Sequence, residues 1–148
     1  MIRRARPEDA PALAAVHVRA WRHAYADIVA LEDMPTEYRR RERWEALLAE
    51  GAEVYVFDQD GAVAGFAALD GNELRAIYVD PPAQGAGVGT ALLAAAVDGL
   101  QAAGHDEAFL WTFEANGLAR AFYERHGWQL VPGRQERLAP EVRYRRGL

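Results

Sequence analysis

The chain has 148 residues, an apolar share of 51% and a formal net charge of -5, which fits one domain over residues 1–148 with a core of its own. It contains no cysteine, so disulfides, thiolate zinc sites and cysteine nucleophiles are excluded. Acidic residues occur along the whole chain, and the richest apolar stretch, residues 91–97, is too short to span a bilayer. We therefore expect a cytoplasmic protein that binds neither nucleic acid nor membrane.

The N-terminal third predicts one strand and two helices. Residues 2–5 form a short strand, and a helical pattern begins at Pro7, a residue suited to a first turn, and continues to Ala24. A second helix is predicted over residues 36–50, with Gly51 at the position of a C-terminal cap.

The apolar period then changes to that of strands. Strands over residues 54–57 and 62–69 flank a predicted four-residue turn at 58–61. A further turn at 70–72 leads into a strand at 73–79, so three antiparallel strands are expected here.

A crossover from strand to helix to strand follows. The helix is predicted over residues 87–103, with Gly104 as its stop, and the next strand over residues 108–113. Such a crossover is almost always right-handed and makes the two strands that it joins parallel. The strand at 108–113 should therefore lie parallel to the strand at 73–79.

The C-terminal segment completes the predicted sheet. Asn116 caps a last helix that ends at Gly127, and two closing strands follow at 128–138 and 142–146. These elements predict an α/β fold of the α+β type, in the order β-α-α-β-β-β-α-β-α-β-β. Its central sheet is mixed and mostly antiparallel, with about seven strands and helices on both faces.

A glycine-rich loop at residues 80–90 joins the strand at 73–79 to the next helix. The first N–H groups of a helix lack internal partners, so a phosphate can bind there when glycines leave the backbone open. A P-loop is excluded because the chain has no lysine, and a dinucleotide fingerprint fails because Thr90 or Leu92 occupies the third glycine position. A plain strand-to-helix turn without a ligand is the alternative.

Two motifs carry a resemblance to a known family. Gln84, Gly87 and Gly89 match the pattern QxxGxG, and the segment from Asn116 to Trp128 matches NxxAxxFYxxxGF, with Trp128 in place of the usual Phe. With the strand and helix that flank the loop, the chain resembles the GNAT superfamily of acyl-CoA-dependent N-acyltransferases over nearly its whole length. The resemblance implies a GNAT-like fold and acetyl-CoA as the acetyl donor.

The resemblance also implies which residues contact coenzyme A. Amides near Gly87 would hold the diphosphate, and Asn116 and Tyr123, about 10 Å apart along one helix face, would contact the pantetheine arm and the sulfur. Asn116 would equally serve as an ordinary N-cap. The expected set is Ile77, Tyr78, Val79, Gln84, Gly85, Ala86, Gly87, Val88, Gly89, Thr90, Asn116, Ala119 and Tyr123.

Two side chains are candidates for proton transfer. In the family, the tyrosine that matches Tyr123 protonates the departing thiolate, so Tyr123 is the expected general acid. Glu73 matches a frequently acidic family position and is the expected base, acting through water because glutamate lies about six pKa units below an alkylammonium. A solvated carboxylate at a strand start is the alternative for Glu73. Backbone N–H groups around Tyr78 and Val79 would stabilise the oxyanion.

The acceptor side is the least defined part of the sequence. Acids beside aromatic rings suit a cationic amine, although an aromatic stripe at helical spacing is more often core. The four histidines show no ligand spacing, so we expect no metal ion. The candidate acceptor contacts, on or after the first helix and on the strand after the crossover, are Trp21, Tyr25, Asp27, Asp33 and Trp111.

These features predict an N-acetyltransferase that moves an acetyl group from acetyl-CoA to a primary amine in a ternary complex. A small-molecule amine is the expected acceptor, and a protein N-terminus or lysine is the next class. A non-catalytic acyl-CoA sensor or interaction module on the same fold is the alternative, whereas a nucleotide-dependent oxidoreductase is disfavoured by the missing third glycine. The exposed edges of the closing strands would allow a homodimer.

Overall fold

Seven strands and four helices follow one another in the order that the sequence predicts. Each predicted element is present, with small differences at its ends, and no helix combines the length and apolar character that crossing a membrane requires. The computed structural model describes residues 1–148, and its elements are β1 (Ile2–Arg4), α1 (Ala10–Tyr25), α2 (Glu37–Ala49), β2 (Glu53–Gln59), β3 (Ala62–Asp70), β4 (Glu73–Val79), α3 (Val88–Ala102), β5 (Glu107–Phe113), α4 (Gly117–Arg125), β6 (Gln129–Glu136) and β7 (Pro140–Gly147).

One sheet contains all seven strands, in the spatial order β1-β2-β3-β4-β5-β7-β6. β4 and β5 are parallel, and every other neighbouring pair is antiparallel. Helix α3 makes the crossover between the two parallel strands. The predicted mixed, mostly antiparallel sheet with one embedded parallel pair is therefore confirmed.

The β2–β3 hairpin is tighter than the sequence pattern predicts. β2 continues to Gln59 and β3 starts at Ala62, so the turn consists of Asp60 and Gly61, with φ values of 54° and 88°. Asp58 and Gln59, predicted as turn residues, belong to β2 instead. A two-residue turn with positive φ matches the twist of antiparallel strands, which lets the ladder continue to the turn itself.

A β-bulge in β4 determines which way its later residues point. Arg75 is an extra residue between Leu74 and Ala76, without a partner on β3. An extra residue shifts the alternation of side chains along a strand by one position. Ile77 consequently packs on the face covered by α3, and Tyr78 on the face covered by α1 and α2.

The parallel strands β4 and β5 stay together only where they begin. Glu73 and Phe109 are the single pair of partners in their ladder, and the Phe109 N–H donates to the Asn72 carbonyl at 3.0 Å. Beyond this point the strands diverge. The second half of β4 therefore has a hydrogen-bonded neighbour on one side, β3, and a gap on the other.

Two apolar cores lie on opposite faces of the sheet. Helix α3 packs on one face, where Leu92 and Leu110 are almost fully buried. Helices α1 and α2 pack on the other face, where Leu13 contacts the cluster around Phe66 of β3. Each face thus has its own core, and the gap between β4 and β5 lies between helices packed on both sides of the sheet.

Candidate active site

A cleft opens where β4 and β5 diverge. Its volume is about 1330 Å³, and residues from both faces of the sheet line it. The glycine loop, α3 and α4 border it on one face, and α1, α2 and the start of β7 border it on the other. A molecule bound on one face can therefore meet a molecule bound on the other through the gap between the strands.

The glycine loop directs the first turn of α3 toward this cleft. Gly85 and Gly87 have φ values of 82° and 84°, in the left-handed region that favours glycine. Gly87 is the N-cap residue of α3, and no side chain accepts a hydrogen bond from the first turn. The N–H groups of that turn therefore have no side-chain acceptor, the condition under which a helix start can bind an anion.

Side chains of the glycine loop make contacts that stabilise its conformation. Gln84 donates from Nε2 to the carbonyl that ends β4, at 3.2 Å, and the Thr90 hydroxyl lies 3.3 Å from His126 Nε2. Val88 is buried in the core, and Ala86 is exposed outside the cleft lining. What the loop presents to the cleft is therefore mainly its backbone amides.

Helix α4 borders the cleft beside α3. Asn116 accepts a hydrogen bond from the Ala119 N–H at 3.2 Å, which confirms its role as an N-cap, and both residues line the cleft. Gly89 allows α3 to approach α4, since a Cβ there would lie 3.4 Å from the Phe122 ring. Phe122 is half-buried: it packs against the core beside α3, stacks on His126 with ring centroids 4.6 Å apart, and lines the cleft.

Tyr123 is a buried tyrosine whose hydroxyl is still accessible from the cleft. Its ring packs near Trp128 and Tyr144, with centroids 6.2 and 6.3 Å away. The hydroxyl has no protein hydrogen-bond partner, yet it is not sealed in the core. Burial raises the pKa of Tyr123 above the ordinary tyrosine value, and nearby Tyr25 raises it further. Tyr123 is therefore a neutral phenol that has a proton to donate.

Two more tyrosines lie on the opposite side of the gap. Burial raises the pKa of Tyr78 well above its ordinary value, and the proximity of Tyr25 and Tyr123 adds to the rise. Burial also raises the pKa of Tyr25, although the amide of Asn116 and the hydroxyl of Tyr78 beside it partly offset the rise. Three neutral hydroxyl groups thus lie near one another at the gap that connects the two faces of the sheet.

His17 lies on the wall of the cleft formed by α1 and is only 6% exposed. Its Nδ1 accepts a hydrogen bond from Trp44 Nε1 at 3.2 Å, and its ring stacks on Tyr78 at 4.6 Å. Burial, together with the charge of Arg40, lowers the pKa of His17 to about 3. Because an indole N–H can only donate, the neutral imidazole carries its proton on Nε2. His17 is therefore a neutral hydrogen-bond donor and not a base.

Three of the five predicted acceptor residues line the cleft: Trp21, Tyr25 and Trp111. Asp27 is exposed in the turn after α1 and lies outside the cleft. Asp33 is also exposed and borders a neighbouring groove. Both carboxylates are thus exposed and neither lines the cleft with the aromatic rings, although Asp33 shares the neighbouring groove with Trp21.

Glu73 begins β4 and is not among the residues that line the cleft. Its Oε2 lies 3.7 Å from Arg75 Nε, and its side chain is 30% exposed. Four strand positions, about 13 Å, separate it from Ile77, where the gap has opened. Proton transfer to Glu73 therefore requires intervening water.

The polar residues of the cleft that the sequence did not indicate include His17, Arg40 and Glu141. Glu141, in β7, accepts a hydrogen bond from Gln135 Nε2 at 2.6 Å and lies 3.7 Å from Arg137 Nε. His17 lies among the apolar positions of α1, and this placement could have indicated it as a site residue from the sequence. Arg40 and Glu141 had no such signal, because helix packing and strand pairing bring them to the cleft from distant parts of the chain.

Comparison with known proteins agrees with this arrangement. The model of the acetyltransferase (GNAT) family matches residues 15–128. The chain belongs to the GNAT acetyltransferase family. As predicted, this GNAT protein is an N-acetyltransferase, with acetyl-CoA as its acetyl donor.

Individual relatives support the family and the fold of this GNAT acetyltransferase. It is 34% identical over 127 residues to the uncharacterised N-acetyltransferase YuaI of Bacillus subtilis (strain 168), which covers 78% of this chain and 72% of YuaI. It is 40% identical over 93 residues to mycothiol acetyltransferase of Clavibacter sepedonicus, covering 60% of this chain and 28% of that protein. The structure of PaiA N-acetyltransferase from Thermoplasma acidophilum in complex with coenzyme A matches with a TM-score of 0.84 at 23% identity, covering 100% of this chain and 98% of that one.

We expect the stability of this acetyltransferase to fall in mild acid because of His17. The pKa of His17 is about 6.5 in the unfolded chain and about 3 in the folded one. The stability that neutral His17 contributes to the folded state is therefore complete above about pH 6.5 and is lost as the pH falls toward about 3. Between pH 7 and pH 5 this group alone should remove about 2 kcal/mol of unfolding free energy. Denaturant unfolding at both pH values measures the loss.

The matched variant is His17→Asn, which keeps an acceptor for Trp44 but does not titrate. Its loss of stability between the two pH values should be smaller by the same amount. His23→Asn removes an exposed histidine from the same helix and should retain the wild-type loss. Identical pH dependence in wild type and His17→Asn would contradict a buried, neutral His17.

Proposed function

We propose that the chain acetylates a primary amine of a small molecule, which attacks acetyl-CoA directly while both are bound. The observation that carries this proposal is the gap between β4 and β5, which joins the two halves of one cleft. The donor half is lined by the glycine loop, α3 and α4. The acceptor half is lined by α1, α2 and the start of β7.

In the donor half, the amides at the start of α3 hold the diphosphate of coenzyme A. Their unpaired N–H groups and the helix dipole favour negative charge. A Cβ at Gly85 or Gly87 would meet no atom within 4 Å, so open space lies in front of this backbone. Asn116 and Ala119 line the path from there to Tyr123. Acetyl-CoA supplies the thioester that this arrangement presents at the gap.

The backbone of β4 stabilises the negative charge that develops on the acetyl oxygen. The Asp80 N–H donates to the Ala64 carbonyl of β3 at 2.8 Å, so by the alternation of an antiparallel ladder the Tyr78 N–H also points to β3. The N–H groups of Ile77 and Val79 point the other way, toward the gap. We therefore assign the oxyanion donors to Ile77 and Val79, not to Tyr78.

Tyr123 acts on the departing sulfur. The new N–C bond gives a tetrahedral intermediate, and its collapse re-forms the C=O bond and breaks the C–S bond. The departing sulfur then gains negative charge that a phenol can hydrogen bond or protonate. Proton transfer from an ordinary tyrosine to a thiolate is uphill by about 2 kcal/mol. Because burial makes Tyr123 a weaker acid still, hydrogen bonding to the developing charge is its main contribution.

The proton lost by the amine goes to a carboxylate through water. Glu73 remains our candidate, and Glu141 is a second carboxylate that borders the acceptor half. Glu141 lies near Tyr25, since its strand partner Phe113 packs edge-on against the Tyr25 ring at 4.9 Å. An alkylamine is only about one part in a thousand neutral at pH 7, so partial desolvation among neutral tyrosines assists its deprotonation.

Release of free thiol from acetyl-CoA tests the function. With a panel of small primary amines we expect thiol release and a product heavier by one acetyl group, detected by mass spectrometry. A peptide with a free N-terminus and lysine represents the second acceptor class. Binding of acetyl-CoA without thiol release across the panel would favour the sensor and contradict the proposal. Turnover of the peptide alone would contradict a small-molecule acceptor.

We expect Tyr123→Phe to lower kcat at least about tenfold with little change in the affinity for acetyl-CoA, since it removes only a hydroxyl without a protein partner. The matched control is Tyr144→Phe. The Tyr144 hydroxyl accepts from Arg120 at 3.0 Å and donates to Glu124 at 2.8 Å, so its loss should cost about 1 kcal/mol of stability and leave kcat unchanged. Steady-state kinetics and thermal unfolding separate the two effects. Unchanged turnover in Tyr123→Phe would remove Tyr123 as the acid.

We expect Gly87→Asp to weaken acetyl-CoA binding at least about tenfold, because a carboxylate would stand where the diphosphate binds. The control is Gly104→Asp, at the far end of α3. Gly87 and Gly104 have φ values of 84° and 86°, and neither has an atom within 4 Å of an added Cβ, so the backbone strain is matched. Calorimetry with acetyl-CoA should show near wild-type affinity for Gly104→Asp. Equal losses in both variants would assign the effect to strain.

A further inference from the structure

Helix α2 turns one arginine-bearing side toward the acceptor half of the cleft. Arg40, Trp44 and Leu47 are spaced by four and three residues, which places them on one helix face, and all three line the cleft together with Arg43. Arg41 points away and pairs with Glu45 at 3.0 Å on the exposed side. The basic residues of α2 are thus divided between solvent and the acceptor half.

Arg40 is a half-buried cation without a counterion. No carboxylate oxygen lies within 4.0 Å of it, whereas Arg19 makes a 2.8 Å pair with Asp80. Glu32 and Asp33 border the adjacent groove, but both are exposed and neither forms an ion pair with Arg40. A partly desolvated, unpaired guanidinium is unfavourable unless an anion binds to it.

A second unpaired donor lies next to Arg40. Arg40 precedes Trp44 by one helical turn, and Trp44 donates to Nδ1 of His17, so the side chains of Arg40 and His17 share one wall. His17 is more than nine-tenths buried, and its Nε2–H has no protein acceptor. The same wall therefore presents a permanent cation and a neutral N–H to whatever occupies the acceptor half.

We propose that the acceptor amine carries an anionic oxygen group, a carboxylate or a phosphonate, that binds Arg40 and the Nε2–H of His17. This inference rests on the proposed amine acetylation. A guanidinium matches the planar pair of oxygens in a carboxylate, and a charge-assisted pair of this kind is among the stronger hydrogen-bonded contacts in proteins. Arg43 adds positive charge to the same part of the cleft. The amino end of such a molecule then points toward the gap and the tyrosine hydroxyls.

Matched acceptor pairs test the inference. Within each pair the amine is the same and only the anionic group changes: amino acids with small, aliphatic and aromatic side chains against their amides, and 2-aminoethylphosphonate against 2-aminoethanol. We expect kcat/KM, calculated per neutral amine, to be at least about tenfold higher for the anionic member of a pair. The carboxylate and phosphonate pairs together identify which oxyanion is preferred.

Variants assign the preference to Arg40. Arg40→Met should reduce the ratio within the preferred pair to near one, chiefly by lowering kcat/KM for the anionic member, and Arg40→Lys should restore part of the ratio. Arg41→Met, one residue away on the exposed side, should keep the wild-type ratio. Thermal unfolding checks that each variant is folded.

The outcomes separate the inference from the function on which it rests. Absence of thiol release with every amine would contradict the proposed function. Acetylation of uncharged amines as fast as their anionic partners would overturn the inference and leave the function standing. A preference for anionic amines that survives in Arg40→Met, or that is lost equally in Arg41→Met, would overturn the assignment to Arg40.

Discussion

The separation of β4 from β5 after a single paired position is the constraint on which this active site depends. A parallel pair that continued would use the outward N–H groups of Ile77 and Val79 in its own ladder and would close the passage between the two faces. Leaving buried amides unpaired costs about 1 to 3 kcal/mol each, unless water or a ligand replaces the missing strand. Two separate cores hold the strands in this divergent arrangement, so the gap belongs to the resting fold.

Burial around the gap controls the protonation of its side chains. Tyr25, Tyr78 and Tyr123 all have raised pKa values, chiefly because ionised phenolates would be poorly solvated there. His17 is kept neutral for the same reason, because burial disfavours its charged imidazolium form and lowers its pKa. Neutral donors around the gap suit a reaction in which an amine must lose a proton and a sulfur must gain one, because they can hydrogen bond the developing charges without adding a fixed charge of their own.

The two halves of the cleft differ in how they are built. The donor half presents backbone amides, whose positions follow from the strand-to-helix turn and its glycines. The acceptor half presents side chains from α1, α2 and β7, whose positions depend on packing between distant segments. Any chain that forms the same strand-to-helix turn presents the same backbone amides. The side chains of the acceptor half, in contrast, can change with the acceptor. The unpaired Arg40 and the buried His17 belong to this second group.

The sequence by itself determined the order of elements, the crossover that makes β4 and β5 parallel, the glycine turn that opens α3 near Gly87 and the capping role of Asn116. Each of these is a local property, because caps, turns and apolar periods are set by residues a few positions apart. Only the tertiary structure decided that Asp27 and Asp33 face solvent, that His17, Arg40 and Glu141 enter the cleft, and that Ile77 instead of Tyr78 points its N–H into the gap. The last result depends on one extra residue, Arg75, because a one-residue bulge reverses the direction of every later group on its strand.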